Sequence, residues 1–132
     1  MKNVKRRSDC PISGTLDIVG DRWSLLILRE MIFGGKTSHK EFSELTEKIA
    51  TNILAERLEW LAKVGLIQKL PDPNDGRRSI YRLTEKGVDM LPVLLAMIDW
   101  GMKYTPDAQF PRELVKQTVK NRSKLLEAAR SL

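Results

Sequence analysis

The 132-residue chain contains one cysteine, Cys10, and one histidine, His39. A lone cysteine excludes an intrachain disulfide. One thiolate with one imidazole falls short of the ligand set of a structural zinc ion, so no metal site is expected. Long hydrophobic runs are missing as well. The longest apolar stretches, Leu25-Leu26-Ile27-Leu28 and residues 91–98, are far shorter than the roughly 20 residues a bilayer-spanning helix needs. The basic N-terminus (Lys2, Lys5, Arg6, Arg7) runs into Ser8-Asp9-Cys10-Pro11 rather than an apolar signal-peptide core, which predicts a cytoplasmic protein with no membrane association. There is no Gly-rich phosphate loop and no evident Ser/His/Asp arrangement, so neither an enzyme nor a bound cofactor is expected.

What is present is the composition of an ordinary folded domain: 42% hydrophobic and 30% charged residues, with 23 Lys+Arg against 17 Asp+Glu, a net charge of +6. A chain of this length predicts one domain with a modest core. The charge is unevenly placed. Residues 1–9 carry four basic and one acidic group, and residues 112–132 carry six and two. The body between them, residues 10–111, holds thirteen basic and fourteen acidic groups and is nearly neutral. Net charge is therefore poor evidence for a nucleic-acid partner; the case must come from where particular residues stand.

Turn signals divide the chain. Pro11 suits the first position of a short helix carrying Ile12, Leu16 and Val19. Asp21 is a candidate N-cap for an apolar helix over 22–33, which Gly34-Gly35 terminates. Ser38 caps a short third helix with Phe42 and Leu45. Thr51 precedes a fourth, in which Leu54, Leu58 and Leu61 recur at helical spacing until Gly65. Residues 66–70 and 79–83 then alternate as strands do, around the dense turn signal of residues 71–76. They predict a two-stranded hairpin with Asp75-Gly76-Arg77-Arg78 at its charged tip. Thr84 caps a long helix to about Tyr104, kinked near Pro92, and Pro111 opens a last helix.

This order predicts a mainly α fold with a small β-hairpin: a winged helix-turn-helix domain over 10–104 with long flanking dimerisation helices, a basic N-terminal arm (1–9) and a C-terminal extension (105–132). The fourth helix is the candidate recognition helix, which reads base edges with its N-terminal residues. With the leucines inward, Asn52 and Glu56 lie on the opposite side, flanked by Thr51 and Ala55. Asn52 can bond adenine, Glu56 can accept from cytosine N4, and the Ala55 methyl can meet a thymine methyl. The other reading of this face is a solvated surface; the adjoining hairpin with Arg77 and Arg78 favours duplex DNA. Those arginines suit a minor groove or phosphates, against a second reading as charges that protect a hairpin edge. Ser38, His39 and Lys40 are candidate phosphate contacts.

The long helix is apolar on two sides, one stripe being Val88, Leu91, Leu95, Ile98 and Met102 and the other Met90, Leu94, Met97 and Tyr104, with Gly101 in line. The second stripe, with Ile12 and Leu16, predicts a homodimer interface, unless the first and last helices cover it within the monomer. Two copies would present their recognition helices about one DNA turn, roughly 34 Å, apart to an inverted-repeat site. A winged-helix protein-interaction module without DNA binding is the alternative, and Glu56 and Glu59 lean towards it.

Cys10-Pro11-Ile12, residues 16–30, Phe33-Gly34-Gly35, Phe42-Ser43-Glu44-Leu45, Leu54-Ala55-Glu56-Arg57-Leu58 and residues 81–87 together resemble the HxlR family, bacterial winged helix-turn-helix transcriptional regulators related to the MarR type. The resemblance covers roughly residues 10–104 and implies a homodimeric, DNA-binding regulator. Some members sense electrophiles or oxidants through the cysteine matching Cys10, which makes a small electrophile or oxidant a candidate effector. Two readings of Cys10 follow. As N-cap of the first helix beside Lys5, Arg6 and Arg7, it is placed to favour a thiolate; as a small apolar side chain, it is placed to pack.

Overall fold

Pro11 opens α1 (Pro11–Val19), with Cys10 as its N-cap. The computed structural model describes residues 4–132, so Lys2 of the basic arm lies outside the described residues. The second helix, α2 (Ser24–Ile32), starts two residues later than residue spacing suggests. Asp21 is the cause: its carboxylate accepts from the N–H groups of Trp23 and Ser24 at 2.9 Å each and from the Ser24 hydroxyl at 2.6 Å. Residues 22–23 are thereby held in a turn ahead of the helix.

Ser38 caps α3 (His39–Ser43) in a full capping box with Glu41. Leu45, expected on that helix, is buried in the turn that follows it. α4 (Thr51–Lys63) buries Leu54, Leu58 and Leu61, and Gly65, at φ +81°, takes the left-handed conformation that ends it. Trp60 pins α4 to α1 by donating its indole N–H to the Ile18 carbonyl at 2.8 Å.

The hairpin is longer than the alternation predicts: β1 (Ile67–Asp72) pairs antiparallel with β2 (Asp75–Leu83). The chain reverses at Pro73-Asn74, because Asp72 accepts from the Asn74 N–H and Asp75 from the Arg77 N–H. Arg77 and Arg78 therefore stand on β2 beside the tip rather than forming it. On its other side β2 meets the loop before α3, through a bridge between Ser38 and Ile80 and a 2.8 Å bond from the Tyr81 N–H to the Thr37 carbonyl. Wing and α3 are thus joined by backbone.

Thr84 caps α5 (Glu85–Val88) and donates its hydroxyl to the Gly65 carbonyl. The expected kinked helix is in fact two, α5 and α6 (Leu91–Tyr104), separated by Asp89-Met90. Pro92 has no N–H and its ring clashes with the carbonyl four residues back, so the helix restarts with proline in its first turn. Gly87 has no room for a side chain, since a Cβ there collides with the Leu66 carbonyl oxygen. The predicted last helix is likewise two, α7 (Arg112–Lys120), with Pro111 as its N-cap, and α8 (Arg122–Arg130), meeting at Asn121. One core joins α2, α4, the hairpin and α6, with Ile27, Leu28, Phe42, Leu54, Leu58, Leu61 and Leu91 among its most buried members.

Candidate nucleic-acid interface

α4 begins without a side-chain cap, its N-cap being Ala50. Its first-turn N–H groups and positive dipole end therefore face outward unclaimed by a side chain, an arrangement suited to phosphate. Thr51, Asn52, Ala55 and Glu56 are all exposed on this helix. Glu56 is not fully free, because it accepts from Arg57 at 2.9 Å. Arg57 turns inward, with its guanidinium also 3.4 Å from Asp21. It is a cross-brace between α4 and the α1–α2 turn. Burial pushes the Asp21 carboxyl up, but hydrogen bonds from Ser24 and Trp23 and the Arg57 charge outweigh it and leave the group below its ordinary range.

A groove of 470 Å³ separates the start of α3 from the wing, lined by Ser38, His39, Lys40, Lys69, Asp72, Arg78, Ser79 and Tyr81. The structure so brings together four of the residues expected at a phosphate surface. It adds Lys69, which sequence reasoning missed because strand alternation alone did not show that Lys69 faces α3; its register partner is Tyr81, which packs edge-on against Phe42 of α3. The Ser38 hydroxyl is occupied by its capping box with Glu41, leaving His39 and Lys40 as the free side chains of that turn. Arg77 and Arg78 are well exposed and lie 3.2 and 3.7 Å from Asp75. The Arg77 backbone N–H, then the arginine side chains, hold the Asp75 carboxyl below its usual range.

The apolar surface of α6 differs from its expected composition. Leu94 is only 6% exposed and belongs to the core, and Met90 packs against that core. The stripe left outside consists of Val93, Met97, Trp100 and Tyr104, with Pro92, Ala96 and Gly101 lining a shallow depression beside it. Trp100, 67% exposed and 5.2 Å from the Tyr104 ring, is its largest member. Ile12 and Leu16 of α1 are also exposed, at 73% and 61%. Cys10 is exposed rather than packed, and its N–H donates to the Ser8 hydroxyl. Two of the nearby cations are already paired, Arg6 with Asp9 at 3.0 Å and Arg7 with Asp17 at 3.7 Å.

Helices α3 and α4 with a hairpin joined to their entry loop define a winged helix-turn-helix protein. The comparisons with known proteins are specific. The HxlR-like helix-turn-helix family model matches residues 18–109, and the chain belongs to that family. It is 37% identical over 102 residues, 76% of its length, to the uncharacterized HTH-type transcriptional regulator Mb3122 of Mycobacterium bovis, of which it spans 62%. Among solved structures it resembles PA1607, a candidate transcription factor, at a TM-score of 0.72 and 38% identity, covering 81% of this chain and 75% of the other. It also resembles the redox regulator HypR in its oxidized form, at 0.63 and 29%, covering 71% and 96%. The family and these relatives are regulators rather than enzymes. No helix among the described residues is long and apolar enough to cross a membrane.

Proposed function

We propose that this protein is a transcriptional regulator that binds duplex DNA as a homodimer on an inverted-repeat operator. The observation that carries the reading is the groove between α3 and the wing, where His39, Lys40, Lys69 and Arg78 converge beside a recognition helix whose N-terminus is free of a side-chain cap. Phosphates bound at the groove and at the start of α4 would fix the protein on the duplex, while Asn52, Ala55 and Glu56 read base edges in the major groove. Arg77 and Arg78 then follow the backbone or enter the adjacent minor groove.

The second copy docks on α6, where Met97, Trp100 and Tyr104 form an apolar surface, and α1 contributes Ile12 and Leu16. A two-fold axis there gives the two recognition helices the spacing of successive major grooves. The effector is a small electrophile or oxidant that modifies Cys10. Exposure of the thiol and the redox function named for HypR support this. Modification at the N-cap of α1 shifts that helix against its neighbours and so the separation of the recognition helices.

Selection of binding sites from random duplex DNA by the purified protein tests the reading. Recovery of an inverted repeat with half-sites one helical turn apart is the expected result, and recovery of no enriched sequence contradicts it. The acidic residues Glu56 and Glu59 on the exposed face of α4 favour a second reading, a winged-helix module that docks a basic protein partner. Capture of such a partner together with absent DNA binding would select it.

A further inference from the structure

The family match ends at residue 109, and α7 and α8 lie beyond it with six basic and two acidic residues. These cations divide into two groups. Arg130 and Arg122 are spent inward: Arg130 pairs with Glu85 at 2.7 Å and Arg122 reaches Asp89 at 3.5 Å, fastening α8 to the segment around α5. Arg112, Lys116 and Lys120 instead recur every four residues along α7, within about 80° of arc, and all are exposed. Lys124, four residues further along the chain, is exposed on α8 beyond the break at Asn121. Among the described residues Arg112, Lys120 and Lys124 have no ion pair, and Lys116 has a single long one, 3.7 Å to the exposed Glu113. Part of the opposite side of α7 is already used: Thr118 is buried and Val115 packs on the core, while Leu114 and Val119 remain exposed. The helix thus presents its cations outward.

We infer that this stripe is a second, sequence-independent contact for the phosphate backbone of duplex DNA, beyond the winged-helix module. The inference rests on the DNA-binding reading above. Position supports it: Leu125, Ala128 and Ala129 of α8 line a crevice with Lys36, Thr37, Tyr81 and Arg82. Helix α8 therefore sits against β2 and the loop entering α3, the elements that carry the candidate phosphate contacts, and α7 leads directly into it. Charge supports it too, since residues 10–111 are nearly neutral and supply little long-range attraction to a polyanion. A lipid surface is the less suitable partner, because Val115 packs on the protein and only Leu114 and Val119 of α7 are left to enter a bilayer.

The test compares the wild-type chain with the triple variant Lys116→Gln/Lys120→Gln/Lys124→Gln, titrated by fluorescence anisotropy against random-sequence and site-selected duplexes between 50 and 300 mM salt. Each lost phosphate contact lowers the slope of log affinity against log salt by about 0.9. The expected fall is therefore about 2 to 3 in slope and roughly 100-fold in affinity near 0.15 M salt, the same factor for both duplexes. The Lys→Arg triple variant keeps the wild-type slope, and circular dichroism identifies any loss caused by unfolding. An unchanged slope in the Gln variant overturns the inference, as does a defect seen only on anionic-lipid vesicles. Wild-type binding with an indifferent triple variant sinks this contact alone; absence of any wild-type binding sinks the DNA-binding reading with it.

Discussion

Arg29 of α2 grips Glu47 through two parallel hydrogen bonds, each 2.8 Å, and so ties the loop between α3 and α4 to the core helix behind it. The same guanidinium donates to Glu30, which also holds Lys36. This fork fixes the segment that sets the entry of α4, the candidate recognition helix.

Acid should loosen that fork. Hydrogen bonding from Arg29 lowers the Glu47 carboxyl to about 2 from its ordinary 4.5. A depressed carboxylate contributes stability that is fully present above 4.5 and is lost as pH falls from there towards 2. Glu47 is partly exposed, so solvent screening reduces the contribution to about 1 kcal/mol. Urea unfolding of the wild type and Glu47→Gln should differ by about that amount at pH 6, and the gap should narrow steadily as pH falls below 4.5. A gap that stays constant with pH contradicts the assignment.

Gly87→Ala should destabilise the fold by about 1–3 kcal/mol, because backbone must move to admit the methyl group. The collision is with the Leu66 carbonyl oxygen, at the foot of the wing, and the Leu83 side chain stands close on the same side. Thermal unfolding measures the loss. A melting temperature equal to the wild type's contradicts the close packing described.

Trp100→Ala with Met97→Ala should weaken self-association by about 2–4 kcal/mol, the scale of buried aromatic anchors at an interface. Sedimentation equilibrium reads it directly: the expected result is a dimer for the wild type and a shift towards monomer for the variant. Equal dissociation constants would remove this face of α6 from the interface. Leu94→Ala is a control of another kind, since that side chain lies in the core and its loss should lower stability instead.

Cys10→Ser should abolish any response of DNA affinity to diamide or a quinone while leaving the untreated affinity unchanged. Mass spectrometry of the treated wild type should show a single adduct or mixed disulfide, because Cys10 is the chain's one thiol. Equal responses of both proteins would place the sensor elsewhere.

Much of this architecture is legible in the sequence. Periodicity and caps place α1, α3 and α4 closely, since Pro11, Ser38 and Gly65 act through local backbone chemistry. The departures have tertiary or side-chain causes. Asp21 delays α2 through bonds to Trp23 and Ser24, and Pro92 divides one long apolar pattern into two helices. Asp72 and Asp75 move the hairpin tip by two residues. At the site, the exposure of Asn52 and Arg78 follows from helix phase and turn position. The place of Lys69 does not, because it depends on β2 pairing with the loop before α3. The exposed stripe of α6 was half legible: two apolar stripes are evident, but only packing shows that Leu94 turns inward and Trp100 outward.

Salt dependence of binding to the selected operator, measured for the wild type and for Arg77→Ala/Arg78→Ala, tests the central claim most directly. The account predicts a steep negative slope for the wild type and a slope smaller by about 2 for the variant, with weaker binding to every sequence tested. A wild type whose affinity for duplex DNA does not depend on salt, or a variant indistinguishable from it, contradicts the account.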